Sequence, residues 1–224
     1  SVIYGNPYYY RDMCKMDSPF SAGKPTGDML EILYKFVSEG WVEQDLATTN
    51  WEQSKVDMAN GKVGMMTLGM WAVSQIQDAN KDNADDIGIA PFPATNSGEL
   101  KAGAGPDQYL GVSVHSKHKE EAKDFAIYFA NCLEYLDASG FIPANQKLES
   151  GNPVVKAYQD SGVELMFADP AQADQAASDL TTEIANESGI KFWEGTYIQN
   201  AVIAAKKSRE DFDKVIEDYN TKWN

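Results

Sequence analysis

The sequence predicts an α/β fold of helix-rich character, and three observations lead there. Several segments repeat apolar residues at i, i+3, i+4 and i+7, the spacing of one helix face. Val63 to Leu68 is an almost purely apolar run bounded by glycines and too short for a core helix, so it reads as a strand buried on both faces. Strands of this kind are few and are separated by helices, which sets the class.

The elements follow in order. Ser1 to Pro25, rich in Tyr, Pro and Gly, reads as an irregular loop region with no catalytic signature. Leu30, Leu33, Tyr34 and Val37 predict a helix over Thr26 to Glu39 that stops at Gly40. Thr49 with Glu52 three residues on forms a capping box for a second helix, which puts Trp51, Lys55 and Met58 on one face and ends at Gly61. After the strand, Gly69-x-Trp71 opens the next helix. Ala122, Phe125, Ala126 and Phe129 predict a helix from about Lys119 with an ordinary core face. Pro153 and Gly162 frame a short helix, and Glu183 to Lys207 reads as mostly helical. Ser208 with Asp211, followed by Phe212, Val215, Ile216 and Tyr219, gives a capped closing helix. There is no internal repeat or low-complexity segment.

Composition narrows the function. The 224 residues suffice to bury a real core, as one large domain or two small ones. Lys+Arg numbers 19 against 34 Asp+Glu, and the resulting charge of -15 argues against nucleic acid or an anionic membrane as partner. No apolar stretch approaches the ~20 residues that span a bilayer, so direct membrane insertion of this segment is not expected. Cys14 and Cys132 are too few for a disulfide framework and are expected as free thiols.

Several chemical constellations fail on inspection. Asp78-x-Asn80-x-Asp82 begins like a calcium loop, but Asn83 stands where glycine is required and Ile89 where a bidentate glutamate belongs. Ser116-x-x-Lys119 matches half of a serine acylase signature, and a helix N-cap accounts for Ser116. His115 and His118 have no cysteine or carboxylate spaced to complete a zinc site. Gly103-x-Gly105 is followed by Pro106 and lacks the third glycine and the lysine of a phosphate loop. No catalytic residue, metal or cofactor is therefore assigned.

Met58-Ala59-Asn60-Gly61-Lys62-Val63-Gly64-Met65-Met66, then Gly69 and Trp71, resembles a run found in the extracellular solute-binding proteins of carbohydrate ABC importers, the family 1, maltose-binding-protein-like type. Four further stretches fit in order. Ile87 to Pro93 resembles the family's strand and proline-rich loop, and Tyr109 to Val114 its strand that crosses between lobes. Ser116 to Ala122 resembles its helix opening, and Gly140 to Ala144 its Gly-x-x-Pro corner. The resemblance implies a two-lobe, periplasmic-binding-protein-like fold of which this chain is the carboxy-terminal portion, with the amino-terminal lobe largely missing. It assigns residues 1–110 and 165–224 to the carboxy-terminal lobe, and 111–164 to the segment that crosses to the other. It also implies capture of a sugar or oligosaccharide by lobe closure and delivery to the permease subunits of an ABC transporter, at the cell surface as a lipoprotein or in the periplasm.

A sugar site needs flat aromatic faces for the C–H side of a pyranose and short polar groups for its hydroxyls. The chain holds 5 Trp and 11 Tyr. By the resemblance, Trp71, with Gly69 before it, is the cleft-facing tryptophan, and Trp193 is a second aromatic at the cleft border, where Gly195 leaves room beside it. Asp107, Gln108 and Tyr109 lie at the hinge, where a carboxylate and an amide suit hydroxyls. Trp51 reads as core, and Trp41 and Trp223 as packing residues near helix ends. An enzyme reading, a glycosidase with paired carboxylates, finds no acidic pair in a recognisable motif. A surface adhesin on a similar fold would differ only in partner.

Overall fold

The structure is a computed structural model describing residues 2–46, 48–95 and 98–224; Ser1, the start of the segment expected to be irregular, lies outside the described residues. The α-helices are α1 (Tyr9–Asp12), α2 (Pro25–Ser38), α3 (Trp51–Ala59), α4 (Ala72–Ala79), α5 (Lys119–Ala130), α6 (Leu133–Ala138), α7 (Pro153–Asp160), α8 (Gln175–Ser188), α9 (Thr196–Lys207) and α10 (Arg209–Trp223). Two three-residue strands, β1 (Lys101–Gly103) and β2 (Glu164–Met166), form a two-stranded sheet. The chain divides into two compact units, 1–49 with 166–224 and 50–165.

The first unit is built on α2, α8, α9 and α10. Phe20 sits at its centre, 1% exposed, with ring centroids of Tyr197, Tyr219, Trp223 and Phe192 within 6.5 Å. Leu30 and Val37 of α2, Ala201 and Ala205 of α9 and Phe212 of α10 extend that core, and for α2 and α10 these residues lie on the faces read from the sequence. Arg209 joins α10 to α2 through Nη1 and Nη2 bonds of 2.6 and 2.8 Å to Glu31 and stacks its guanidinium over Tyr34 and Phe212. Ser208 caps α10 by accepting from the Asp211 amide, as expected. Trp223 is buried and donates its indole N–H to the Met13 carbonyl. The opening segment is less irregular than expected: Tyr9 is buried against Thr26, which fixes the short helix α1. Trp41, expected to pack, is exposed beside Phe36 at the end of α2. Residues 183–207 are interrupted at Gly189, whose φ of +72° ends α8.

The second unit has a smaller core of Ala59, Ala72, Val73, Ile76 and Ile87, made where α3 meets α4. Glu164 donates its amide to the Leu100 carbonyl, and Lys101 bridges to Glu164 at 2.8 Å across the two strands. Three expected strands are corrected here. Residues 63–68 form no strand, and Met65 is 82% exposed rather than buried on both faces. Tyr109 to Val114 likewise forms no strand, and neither does Ile87 to Pro93. A strand exists only through a neighbour's hydrogen bonds, and among the described residues the one pairing is β1 with β2. The face of α5 expected as core is open, with no buried residue and Phe125 60% exposed. The cap of α3 is Asn50, which accepts from Gln53 N, while Thr49 turns away to donate to Glu43. Ser116 accepts from the His118 amide one turn ahead of α5 rather than capping that helix directly.

Candidate functional site

Trp71 stands between the apolar stretch and α4, with part of its indole packed on the Ala72, Val73 and Ile76 core and part open. Its position depends on Gly69. A β-carbon at Gly69 would fall 2.4 Å from Trp71 Nε1, so the ring lies directly over that backbone. The structure thus brings Gly69 and Trp71 together.

A second indole stands beside it. Trp51, expected as core, is 38% exposed at the first turn of α3, and its ring centroid lies 6.0 Å from that of Trp71 at 56°. Lys55, one turn along, holds its ammonium 5.1 Å above the Trp51 ring, 3.0 Å from Glu52 and 3.1 Å from the Gln75 amide oxygen. Sequence reasoning passed over Trp51 because its helical spacing to Met58 is that of any core face. The signal against that reading was the polar run Glu52-Gln53-Ser54 immediately after it.

Asp107, Gln108 and Tyr109 lie on an exposed stretch of the same unit without regular secondary structure. Gln108 accepts from the Tyr135 hydroxyl at 2.6 Å, which orients its amide, whereas Tyr109 is 80% exposed. Tyr135, absent from the sequence-based site, is held in turn by ring contacts to Phe129 at 4.5 Å and Phe141 at 6.2 Å.

Trp193 belongs to the first unit. It is 59% exposed on the turn before α9, where Lys191 and Glu194 bridge at 3.0 Å. Its neighbour Phe192 is partly buried against the core, 5.5 Å from Trp223 and 5.6 Å from Tyr197. Gly195 is explained by its φ of +68° at the N-cap of α9 and not by crowding, because a β-carbon there would meet nothing within 4 Å. Tyr10 meets Phe192 at 5.6 Å with its ring tilted by 51° and remains partly exposed, whereas Tyr8 receives the Asp169 amide and lies under Arg11.

The chemistry on offer is recognition. Indole faces, an ammonium, amides and hydroxyls suit a polar ligand with apolar C–H faces. Among the described residues no group of three or more His, Cys, Asp or Glu side chains is arranged to hold a metal, and no helix is long and apolar enough to cross a membrane.

Comparison with known proteins gives the same direction. Residues 3–131 match the family of bacterial extracellular solute-binding proteins. A search of curated proteins found no match. Among solved structures, the manno-oligosaccharide-specific solute-binding protein BlMnBP2 of Bifidobacterium animalis subsp. lactis, in complex with mannotriose, is 28% identical with a TM-score of 0.82. BlMnBP1 of the same organism, the binding protein of an ABC transporter, is similar in complexes with mannotriose (29% identical, TM-score 0.79) and mannobiose (30%, 0.80). Each match covers 99% of this chain and 53% of the other, so the chain spans about half the length of the structures it matches.

Proposed function

The chain belongs to the bacterial extracellular solute-binding proteins, and from that premise we propose that its parent protein captures a sugar or oligosaccharide outside the cell by lobe closure. It then hands the ligand to the permease subunits of an ABC transporter. Residues 1–110 with 165–224 form the carboxy-terminal lobe in this reading, and 111–164 the segment crossing to the other. The observation that carries the proposal is the Trp71 indole, laid over Gly69 with part of its surface open, next to a second exposed indole and fixed polar groups. Asp107, Gln108 and Tyr109 in the second unit, and Trp193 in the first, are each proposed as ligand contacts in their own right. The solved relatives hold mannotriose and mannobiose, which makes manno-oligosaccharides the first ligands to try.

Binding of this type works by differential affinity for the closed state and needs no nucleophile, general base or metal. The protein is accordingly read as a binding protein and not an enzyme, located at the cell surface or in the periplasm. The test follows tryptophan fluorescence of this chain, and of the whole product of its gene, against mono- and oligosaccharides. A saturable change that disappears in Trp71→Ala or Trp193→Ala variants that stay folded supports the site. Silence from both proteins refutes a sugar ligand, and release of new reducing ends refutes a pure binding role.

A further inference from the structure

Residues 65–71 and 104–113, which carry Trp71 and Gln108, form no helix or strand, so no ladder of backbone bonds fixes where these side chains stand. One short helix meets both stretches. Gly140, just past the end of α6 with a φ of +68°, approaches Met70 so closely that a β-carbon on it would lie 3.3 Å from the Met70 carbonyl oxygen. Tyr135, inside α6, donates its hydroxyl to Gln108 Oε1 at 2.6 Å.

The helix that makes these two contacts is itself firmly tied. Leu136 is buried, and Asp137 Oδ1 accepts from the Ser150 hydroxyl at 2.7 Å and the Gly151 amide at 2.9 Å. The Asp137 carbonyl accepts from the Asn152 side chain at 2.7 Å, and Asn152 caps α7, whose Val154 packs on the core of Ala59, Ala72 and Ile76. The Tyr135 ring is in contact with Phe129 at 4.5 Å and Phe141 at 6.2 Å. Its hydroxyl therefore acts from a fixed platform.

Gln108 is exposed, and its amide has two ends of opposite character, an oxygen that accepts and a nitrogen that donates. An untethered surface glutamine samples many rotamers and offers a ligand either end, and binding then has to order it. The Tyr135 hydroxyl removes that freedom in advance. By engaging Oε1 it leaves the two N–H groups of Nε2 for a ligand.

We infer that Tyr135 is a positioning residue of the binding site: from α6, which also backs the residue before Trp71, it holds the Gln108 amide by its oxygen, so that Gln108 presents N–H donors to an acceptor oxygen of the ligand. This rests on the saccharide-binding reading above and on Gln108 as a contact. It adds a residue that acts through another, and the polarity of the ligand group that Gln108 faces.

The experiment is calorimetric titration of the whole product of the gene with the mono-, di- and trisaccharides of the manno, gluco, galacto and xylo series, followed by a double-mutant cycle on the tightest binder. Tyr135→Phe keeps the ring and removes only the hydroxyl, and is expected to weaken binding about three- to tenfold. Gln108→Ala should weaken it at least as much. Tyr135→Phe added to Gln108→Ala should have an effect of less than about twofold, because the hydroxyl then has nothing to orient, whereas a merely structural hydroxyl would act in both backgrounds. Gln108→Glu keeps an oxygen for Tyr135 but has no N–H, so it should bind about as weakly as Gln108→Ala.

The inference is overturned if Tyr135→Phe binds as the wild type does, if its loss is the same with and without Gln108, or if Gln108→Glu binds as tightly as the wild type. Should Tyr135→Phe fail to fold, judged by helical circular dichroism, the affinity of Gln108→Glu decides in its place. A Gln108→Ala variant of unchanged affinity overturns the Gln108 contact and this inference with it, while the saccharide reading stands. A wild type silent to the whole panel overturns that reading itself, an outcome plainly different from a wild type that binds with no dependence on Tyr135.

Discussion

At Gly69 an added β-carbon would sit 2.4 Å from Nε1 and 2.8 Å from Cδ1 of Trp71, distances no side-chain carbon tolerates. Gly69→Ala must therefore push the indole off the backbone it covers, with strain of about 1–3 kcal/mol if the surroundings hold. The expected result is an altered near-ultraviolet tryptophan dichroism together with weakened saccharide binding; unchanged spectra would mean that the ring is not where the structure puts it. Phe20 makes the opposite case, a side chain with no exposed role, ringed by Phe192, Tyr197, Tyr219 and Trp223. Phe20→Ala should cost about 3–5 kcal/mol in urea unfolding, because a large void opens where no neighbour can collapse. The surroundings of the tryptophans were unequally legible. Trp71 was readable beside Gly69 because its place after an apolar run and a glycine is a sequence pattern. Trp51 was not, since helical spacing says that residues share a face but not whether that face is wet.

Helices were read more securely than strands, for a physical reason. A helix closes its hydrogen bonds within its own residues, so α2, α7 and α10 follow from periodicity, a first-turn proline and a capping serine. Val63 to Leu68 and Tyr109 to Val114 carry apolar patterns suited to strands, but pairing is a property of two segments and only β1 with β2 achieves it among the described residues. Local capping was legible to within a residue or two: Ser208 serves α10, Asn50 displaces Thr49 at α3, and His118 stands at the cap of α5 in place of Ser116. Ser208→Ala should cost about 1 kcal/mol, read as a lower melting temperature, because the Asp211 amide loses its acceptor. The helices also differ in what holds them. α5 buries no residue, while α9 buries Tyr197, Ala201, Ala204 and Ala205. Amide hydrogens of α5 should therefore exchange well before those of α9 in this chain, and equal protection of the two would contradict the exposed placement of Phe125, Ile127 and Tyr128.

Across the molecule, acidity and buried phenols combine to set how the fold responds to alkali. Burial pushes Tyr219 up to about 12 and raises Tyr9, Tyr10, Tyr158 and Tyr197, while the hydrogen bond that Tyr4 gives Asp28 at 2.6 Å raises it to about 12. Each holds its proton more tightly folded than unfolded, where a tyrosine ionises near its ordinary value of about 10. The stability linked to these groups is thus complete below that value and declines as pH climbs through 10 towards 12, because the unfolded chain then binds fewer protons. Phenolates formed on unfolding add to a chain already at -15, and self-repulsion works in the same direction. Absorbance at the phenolate band should therefore rise in two stages in the native chain, the later stage arriving together with loss of helical dichroism. In strong urea all the tyrosines should titrate in one stage near pH 10, within roughly the spread of free phenols. A native chain that showed that same single stage while its dichroism held would mean that the Phe20 cluster, with Tyr197 and Tyr219 in it, is open to water, and the core of the first unit would have to be redrawn.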